Sequence, residues 1–173
     1  MTIVRTFQIA AVAFGCVLGT GTAVAQDWPE DARNISRGDF EVFSGGHFTC
    51  GVYSGDAIFN DIDRQYYFEG TVRGSDGMEG IMHSSTFDQG TIIAQGYSFR
   101  GVNRGAAFLR REYVMDDGVD FPQFVGDSVS IPMKVSRDGQ TLYPGTFKDD
   151  NDVFKIAILE CNRVGDTKPS WAR

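Results

Sequence analysis

One rhythm constrains this chain more than anything else. From about residue 47 to residue 163, short stretches of alternating apolar and polar residues are broken at close intervals by turns rich in Gly and Asp. "RQYYFEGTVR" (64–73) puts Tyr66, Phe68 and Val72 on one face and Tyr67, Glu69, Thr71 and Arg73 on the other. "GSDG" (74–77) follows, and its Asp-Gly pair is a hairpin signal because Gly accepts positive φ. "MEGIMHSS" (78–85) returns, "TFDQG" (86–90) turns, and "TIIAQGYSFR" (91–100) runs on. "GVNRG" (101–105) leads into "AAFLRREYVM" (106–115), and "DDGVD" (116–120) breaks it.

"DSVSIPMKVS" (127–136) alternates again, with Val129, Ile131, Met133 and Val135 on one face. Pro132 cannot donate to a ladder, which predicts an edge or bulged strand. "RDGQ" (137–140) and "DDND" (149–152) flank the short "TLYPGTF" (141–147). "VFKIAILECNR" (153–163) is the most apolar run, as a strand buried on both faces would be. With "HFTCGVYS" (47–54) the pattern predicts about eight strands, or nine if 121–125 forms its own.

The connections are too short for helical crossovers, so neighbours in sequence are expected to pair antiparallel. Gly51, Gly70, Gly80 and Gly96 lie inside strands, as sharp coiling requires. The fold expected is all-β: a single antiparallel up-and-down barrel or strongly curved sheet of eight to nine strands, with a two-sheet sandwich as the alternative. One short helix is expected before it. "DWPEDARNISRG" (27–38) has Asp27 as a cap, Pro29 in the first turn, Trp28, Ala32 and Ile35 on one face and Gly38 as a stop. Residues 26–39 are thus read as helix and lead-in, 40–164 as the β domain, and 165–173 as a flexible tail.

The first residues predict an exported protein. "MTIVRTFQIAAVAFGCVLGTGTAVAQ" has a charged start at Arg5, an apolar run from Ile9 to Leu18, and the cleavage pattern Ala23-Val24-Ala25. The run is too short for a span of about 20 residues, so 1–25 is read as a cleaved signal peptide rather than an anchor. No second run of that length follows, so no membrane span is expected. The mature chain of about 150 residues suits one domain with its own core. The net charge of −7, with no basic cluster, makes nucleic acid an unlikely partner class.

Removing 1–25 takes Cys16 with it and leaves Cys50 and Cys161. Two cysteines far apart in an oxidising compartment predict one structural disulfide rather than a C-x-x-C redox pair. The bond would join the first strand to the last and close a loop of about 110 residues, worth roughly 4 kcal/mol in a chain-entropy account.

Motifs for chemistry are sparse. No nucleophile elbow, zincin helix or phosphate loop is present. His47 and His83 have no zinc spacing, and Glu79 and His83 would stand about 13 Å apart along one strand. The aspartates at 56, 61 and 63 lack the EF-hand pattern. "RGD" at 37–39 is set aside as a helix stop. No catalytic residue, cofactor or metal is therefore expected.

The aromatics offer more. Tyr66, Phe68, Tyr97, Phe99, Phe108 and Tyr113 are the candidate lining of a cavity inside the barrel. The expected function is an exported binding protein holding a small apolar or amphipathic ligand there, by analogy of fold. The alternative is a protein-interaction or inhibitor module acting through the acidic loops 54–63, 116–120 and 149–152; an enzyme is the least favoured reading. An exported barrel with a leading helix and a disulfide to the carboxyl-terminal region is architecturally similar to lipocalins. Their G-x-W mark is missing, with "GGHFTC" in its place, so no family is claimed.

Overall fold

A computed structural model describes residues 28–55, 63–70, 79–88, 91–150 and 153–173. The expected signal peptide, the "GSDG" hairpin and most of the acidic loop 54–63 lie outside the described residues.

The chain is built of strands, as its rhythm predicts. In order they are β1 (Arg33–Asn34), β2 (His47–Ser54), β3 (Asp63–Gly70), β4 (Gly80–Asp88), β5 (Thr91–Asn103), β6 (Ala106–Asp116), β7 (Val119–Asp120), β8 (Ser128–Val135), β9 (Thr141–Asp150) and β10 (Val153–Gly165). Among the described residues one helix, α1 (Arg37–Phe43), sits between β1 and β2, and a 3₁₀ turn spans Pro122–Phe124. All ten strands belong to one antiparallel sheet in the order β1-β8-β9-β10-β2-β3-β4-β5-β6-β7. A further pairing of β8 with β6 curves that sheet into a ring. A single sheet forms, not the two-sheet sandwich held as the alternative.

Turn chemistry explains the meander. Asn103 pairs with Ala106 across Arg104 (φ 50°) and Gly105 (φ 80°), and Asp116 pairs with Val119 across Asp117 (φ 46°) and Gly118 (φ 82°). Positive φ at both central positions is the hairpin geometry that matches strand twist. Pro132 sits where β8 changes partners. Residues 128–132 pair with β6 and residues 133–135 with β9. The Met133 N–H, next along the chain, donates to the Gly105 carbonyl at 2.7 Å.

The ring meets itself at β2 and β10, where Cys50 and Cys161 are direct partners. Their sulfurs are bonded at 2.00 Å, with Cα atoms 4.0 Å apart. The disulfide staples first long strand to last, as expected.

The helix is not where the sequence reading put it. Residues 29–32 form a turn, and Arg33 and Asn34 pair with Val135 and Lys134 of β8, which keeps 29–34 out of a helix. The helix begins after Ser36 instead. Asp39 accepts the Ser36 backbone N–H at 2.6 Å and the Ser36 hydroxyl at 2.7 Å, part of a capping box. Arg33 grips the same carboxylate with both nitrogens, at 2.6 and 2.9 Å. Burial pushes the Asp39 pKa up, but Arg33 and Ser36 outweigh it and hold the carboxyl below its usual range. Gly38, read as a stop, lies inside the first turn, and the Asp of the "RGD" tripeptide is buried and paired.

What α1 contributes is Phe40 and Phe43, one turn apart on one face. Phe40 meets Phe99 at 4.3 Å and Phe68 at 5.9 Å between ring centres; Phe43 meets Phe48 and Phe68, each at 5.4 Å. These rings plug one end of the sheet's interior. A void of only about 10 Å³ remains beside Phe40, Phe68, Met82 and Phe99. Among the described residues no helix is long and apolar enough to cross a membrane.

Candidate functional site

Directly opposed residues of an antiparallel pair share a face, so the registers sort the wall into inward rows. One row starts at Phe68, beside the helix, and runs Phe68, Met82, Tyr97, Arg111 across β3, β4, β5 and β6. The next is Tyr66, Ser84, Gln95, Val114, and the third is Arg64, Thr86, Ile93, Asp116. Apolar residues dominate at the helix, and polar ones increase with distance from it.

This polar end is held together only in part. Arg64 Nε donates to Thr86 Oγ1 at 3.1 Å, and the Tyr97 hydroxyl to Gln95 Oε1 at 2.5 Å. The Arg111 guanidinium lies 5.9 Å from the centre of the Tyr97 ring and 6.0 Å from that of Phe124. Burial pushes the Tyr97 phenol up, against the pull of the Arg111 and Arg64 charges. Among the described residues three buried polar atoms have no hydrogen-bond partner: Tyr66 Oη, Arg111 Nε and Asp116 Oδ1. All three belong to these rows. Tyr66 is only 1% exposed. A buried polar atom left unpaired costs about 1–3 kcal/mol, so each of these atoms calls for a partner.

The outward face of the same strands carries a different arrangement. His83 is fully buried there, opposite Tyr67 on β3 and Gly96 on β5. Its Nε2 lies 3.2 Å from Glu69 Oε2 and its Nδ1 2.7 Å from the Tyr113 hydroxyl. A carboxylate only accepts, so Nε2 carries the proton and Nδ1 accepts from Tyr113. The Tyr113 oxygen in turn accepts the Arg173 backbone N–H at 3.3 Å, and Lys168 Nζ closes on Glu69 at 2.6 Å. Burial, aided by Lys168, lowers the His83 pKa despite Glu69. Burial likewise raises the Tyr113 phenol. The Glu69 carboxyl is lowered, chiefly by Lys168.

Of the six aromatics expected to line a cavity, Tyr66, Phe68, Tyr97 and Phe99 are gathered into the interior. Phe108 is not: its neighbours Ala107 and Leu109 face in, and it stands 41% exposed on the outside. Tyr113 is not either. The register slips between Gly96 and Tyr97, leaving Glu112 as an extra residue in β6. That bulge turns Tyr113 outward over Gly96, where a Cβ would come within 2.1 Å of the ring. The segment expected as a flexible tail is also different: 166–173 lies along this outer face, with Ala172 buried and Trp171 edge-on to His47 at 6.2 Å. Its ion pairs and tryptophan give it something to hold.

Arg64, Gln95, Arg111 and Asp116 were missed because aromatic content alone selected the candidates. Arg64 shares the parity of Tyr66 and Phe68, so the period of two carried that signal. Asp116 lies beyond the bulge, which hid its face. No known protein family, curated protein or solved structure matches this chain.

Proposed function

We propose that this is an exported binding protein whose ligand is a small amphipathic anion, seated at the polar inner end of the ring. The observation that carries the reading is the set of three unpaired buried atoms, Tyr66 Oη, Arg111 Nε and Asp116 Oδ1, on inward rows that also hold Arg64. Arg64 and Arg111, the latter with its Nη1 3.4 Å from Asp127 Oδ2 and its Nε open, supply guanidinium donors for a carboxylate or a similar anion. Tyr66, Tyr97 and Phe124 supply aromatic surface for its apolar body. Asp116 limits the ligand further, favouring one that carries a hydrogen-bond donor beside its anion. Export is supported by the amino-terminal pattern and by a disulfide that suits an oxidising compartment.

Solvent reaches Arg111 at the mouth, whereas the helix end is filled by phenylalanines. The reading therefore differs from a hollow, fully apolar barrel. Native mass spectrometry of protein purified from the exported fraction tests it directly, by retention of a small acid. Anilinonaphthalene sulfonate serves as a defined probe of the same chemistry. Binding of one probe per chain, weakened about tenfold or more by Arg64→Gln with Arg111→Gln, is the expected result. Unchanged binding in that variant would sink the proposal.

A second reading is an interaction module with a filled interior. The packed helix end favours it, as do the exposed Val119, Phe124 and Val125 beside the acidic turn at 116–120. Co-purification of a protein in place of a small acid would decide for it.

A further inference from the structure

The carboxyl-terminal segment sits on the outer face the way a ligand sits in a site. At the end of β10, Arg163 bonds Asp166 at 2.7 and 3.0 Å and the chain turns back along the wall. Lys168 then reaches Glu69, Trp171 meets His47 edge-on, and Ala172 is buried. Arg173 closes the series with a two-pronged contact: Nη1 to Asp120 Oδ1 at 2.9 Å and Nη2 to Asp120 Oδ2 at 3.0 Å. Its guanidinium also lies 5.9 Å from the Tyr113 ring centre. A depression of about 150 Å³, walled by Tyr113, Phe121, Pro122 and Val125, continues beside it. A forked carboxylate and an aromatic face are what recognise a guanidinium rather than a generic cation.

The two sides of this contact are built differently. The receiving side is fixed, because Tyr113 is locked between His83 and Gly96 on paired strands. The segment laid on it is held by pairs that are half in water: Asp120 and Arg173 are 54% and 55% exposed, and Glu69 and Lys168 46% and 39%. Exposed ion pairs of this sort hold weakly and exchange readily. We propose that this outer face is a recognition groove for a basic, arginine-bearing peptide segment of a partner protein, and that residues 166–173 cover it in cis. The chain's acidity suits such a partner by charge complementarity.

The probe is a labelled synthetic peptide with the segment's own sequence, Asp-Thr-Lys-Pro-Ser-Trp-Ala-Arg. It is titrated into the whole chain and into a Lys168→Ala/Trp171→Ala/Arg173→Ala variant whose fold is checked by circular dichroism. The expected result is binding to the variant about tenfold or more tighter than to the unaltered chain, as removal of a covering competitor requires. Adding Asp120→Asn and Glu69→Gln should remove that gain, and a peptide ending in Lys should bind the variant more weakly than one ending in Arg. In the unaltered chain, millimolar peptide should shift the Tyr113 and Trp171 resonances by competition. Absence of binding in both chains overturns the proposal. So does binding indifferent to Asp120 and Glu69, or a wild-type dimer formed by exchange of the segment between copies.

Discussion

The two faces of the β3–β4–β5–β6 wall both bury polar side chains, and they do it in opposite ways. Outside, Glu69, His83, Tyr113 and Arg173 form a chain in which each named donor finds an acceptor. Inside, Tyr66, Arg111 and Asp116 each keep one buried atom unpaired. A satisfied network rigidifies the structure around it, whereas an unsatisfied one costs stability until something fills it. The difference teaches where to look for function. The buried histidine is the more conspicuous group chemically, yet its bonds are all made, and its network is the fixed floor on which residues 166–173 lie. The plainer inner rows are the ones that leave buried atoms without a partner among the described residues.

The largest effect that frames this comparison belongs to the seam joining both faces. Replacing Cys50 and Cys161 with Ser should lower stability by about 2–5 kcal/mol, the usual loss for a native disulfide in a small exported domain. Chemical denaturation measures it. Both faces should lose stability together, because β2 and β10 close the one ring. A variant that loses less than about 1 kcal/mol would mean that the pairing of β6 with β8 suffices to hold the ring.

Next comes the outer network. Tyr113→Phe removes the hydroxyl that His83 Nδ1 and the Arg173 N–H both use. Two groups lose their partner at once, so a destabilisation of about 1–3 kcal/mol is expected, with faster hydrogen exchange in 166–173.

Acid should reach the same network. The His83 pKa is depressed in the folded chain, chiefly by burial, so the unfolded chain takes up that proton first. The stability contribution is fully present above the unfolded pKa of about 6.5 and is lost as pH falls through the lower folded value. Glu69 and Asp39, also depressed, add losses of the same sign below the ordinary carboxylate range. Thermal melts across pH 7 to 2 should show this fall. His83→Gln should remove its upper part while leaving the carboxylate part in place.

Much of this fold was legible in the sequence because a period of two survives wherever pairing is regular. The eight long strands, the seam and its disulfide follow from alternation, turn residues and the places of two cysteines. Tyr66, Phe68, Tyr97 and Phe99 were legible for the same reason. The failures are local. The Glu112 bulge reversed parity in β6 and sent Tyr113 outward, and alternation cannot report an inserted residue. The helix moved because Arg33 and Asn34 found a strand to pair with, a tertiary choice that the caps at Asp27 and Gly38 could not register. The Glu69–His83–Tyr113 chain joins three strands, so no spacing along the sequence announces it.

The smallest expected effect is the sharpest test of the contrast. Tyr66→Phe keeps the ring, which stacks near Phe68 at 6.5 Å, and removes only a hydroxyl that bonds nothing. Its outer counterpart, Tyr113→Phe, also removes a single oxygen from a buried tyrosine. If unpaired atoms mark the binding face, the two changes must differ in sign. Tyr66→Phe should leave stability unchanged or raise it by up to about 1 kcal/mol, because the cost of the unmade bond disappears. It should also weaken the small-acid probe, for which that hydroxyl is an open donor. Loss of stability comparable to that of Tyr113→Phe would show that Tyr66 is paired in solution through water or another part of the chain. The inner face would then be architecture as well, and the contrast between the two faces would fall.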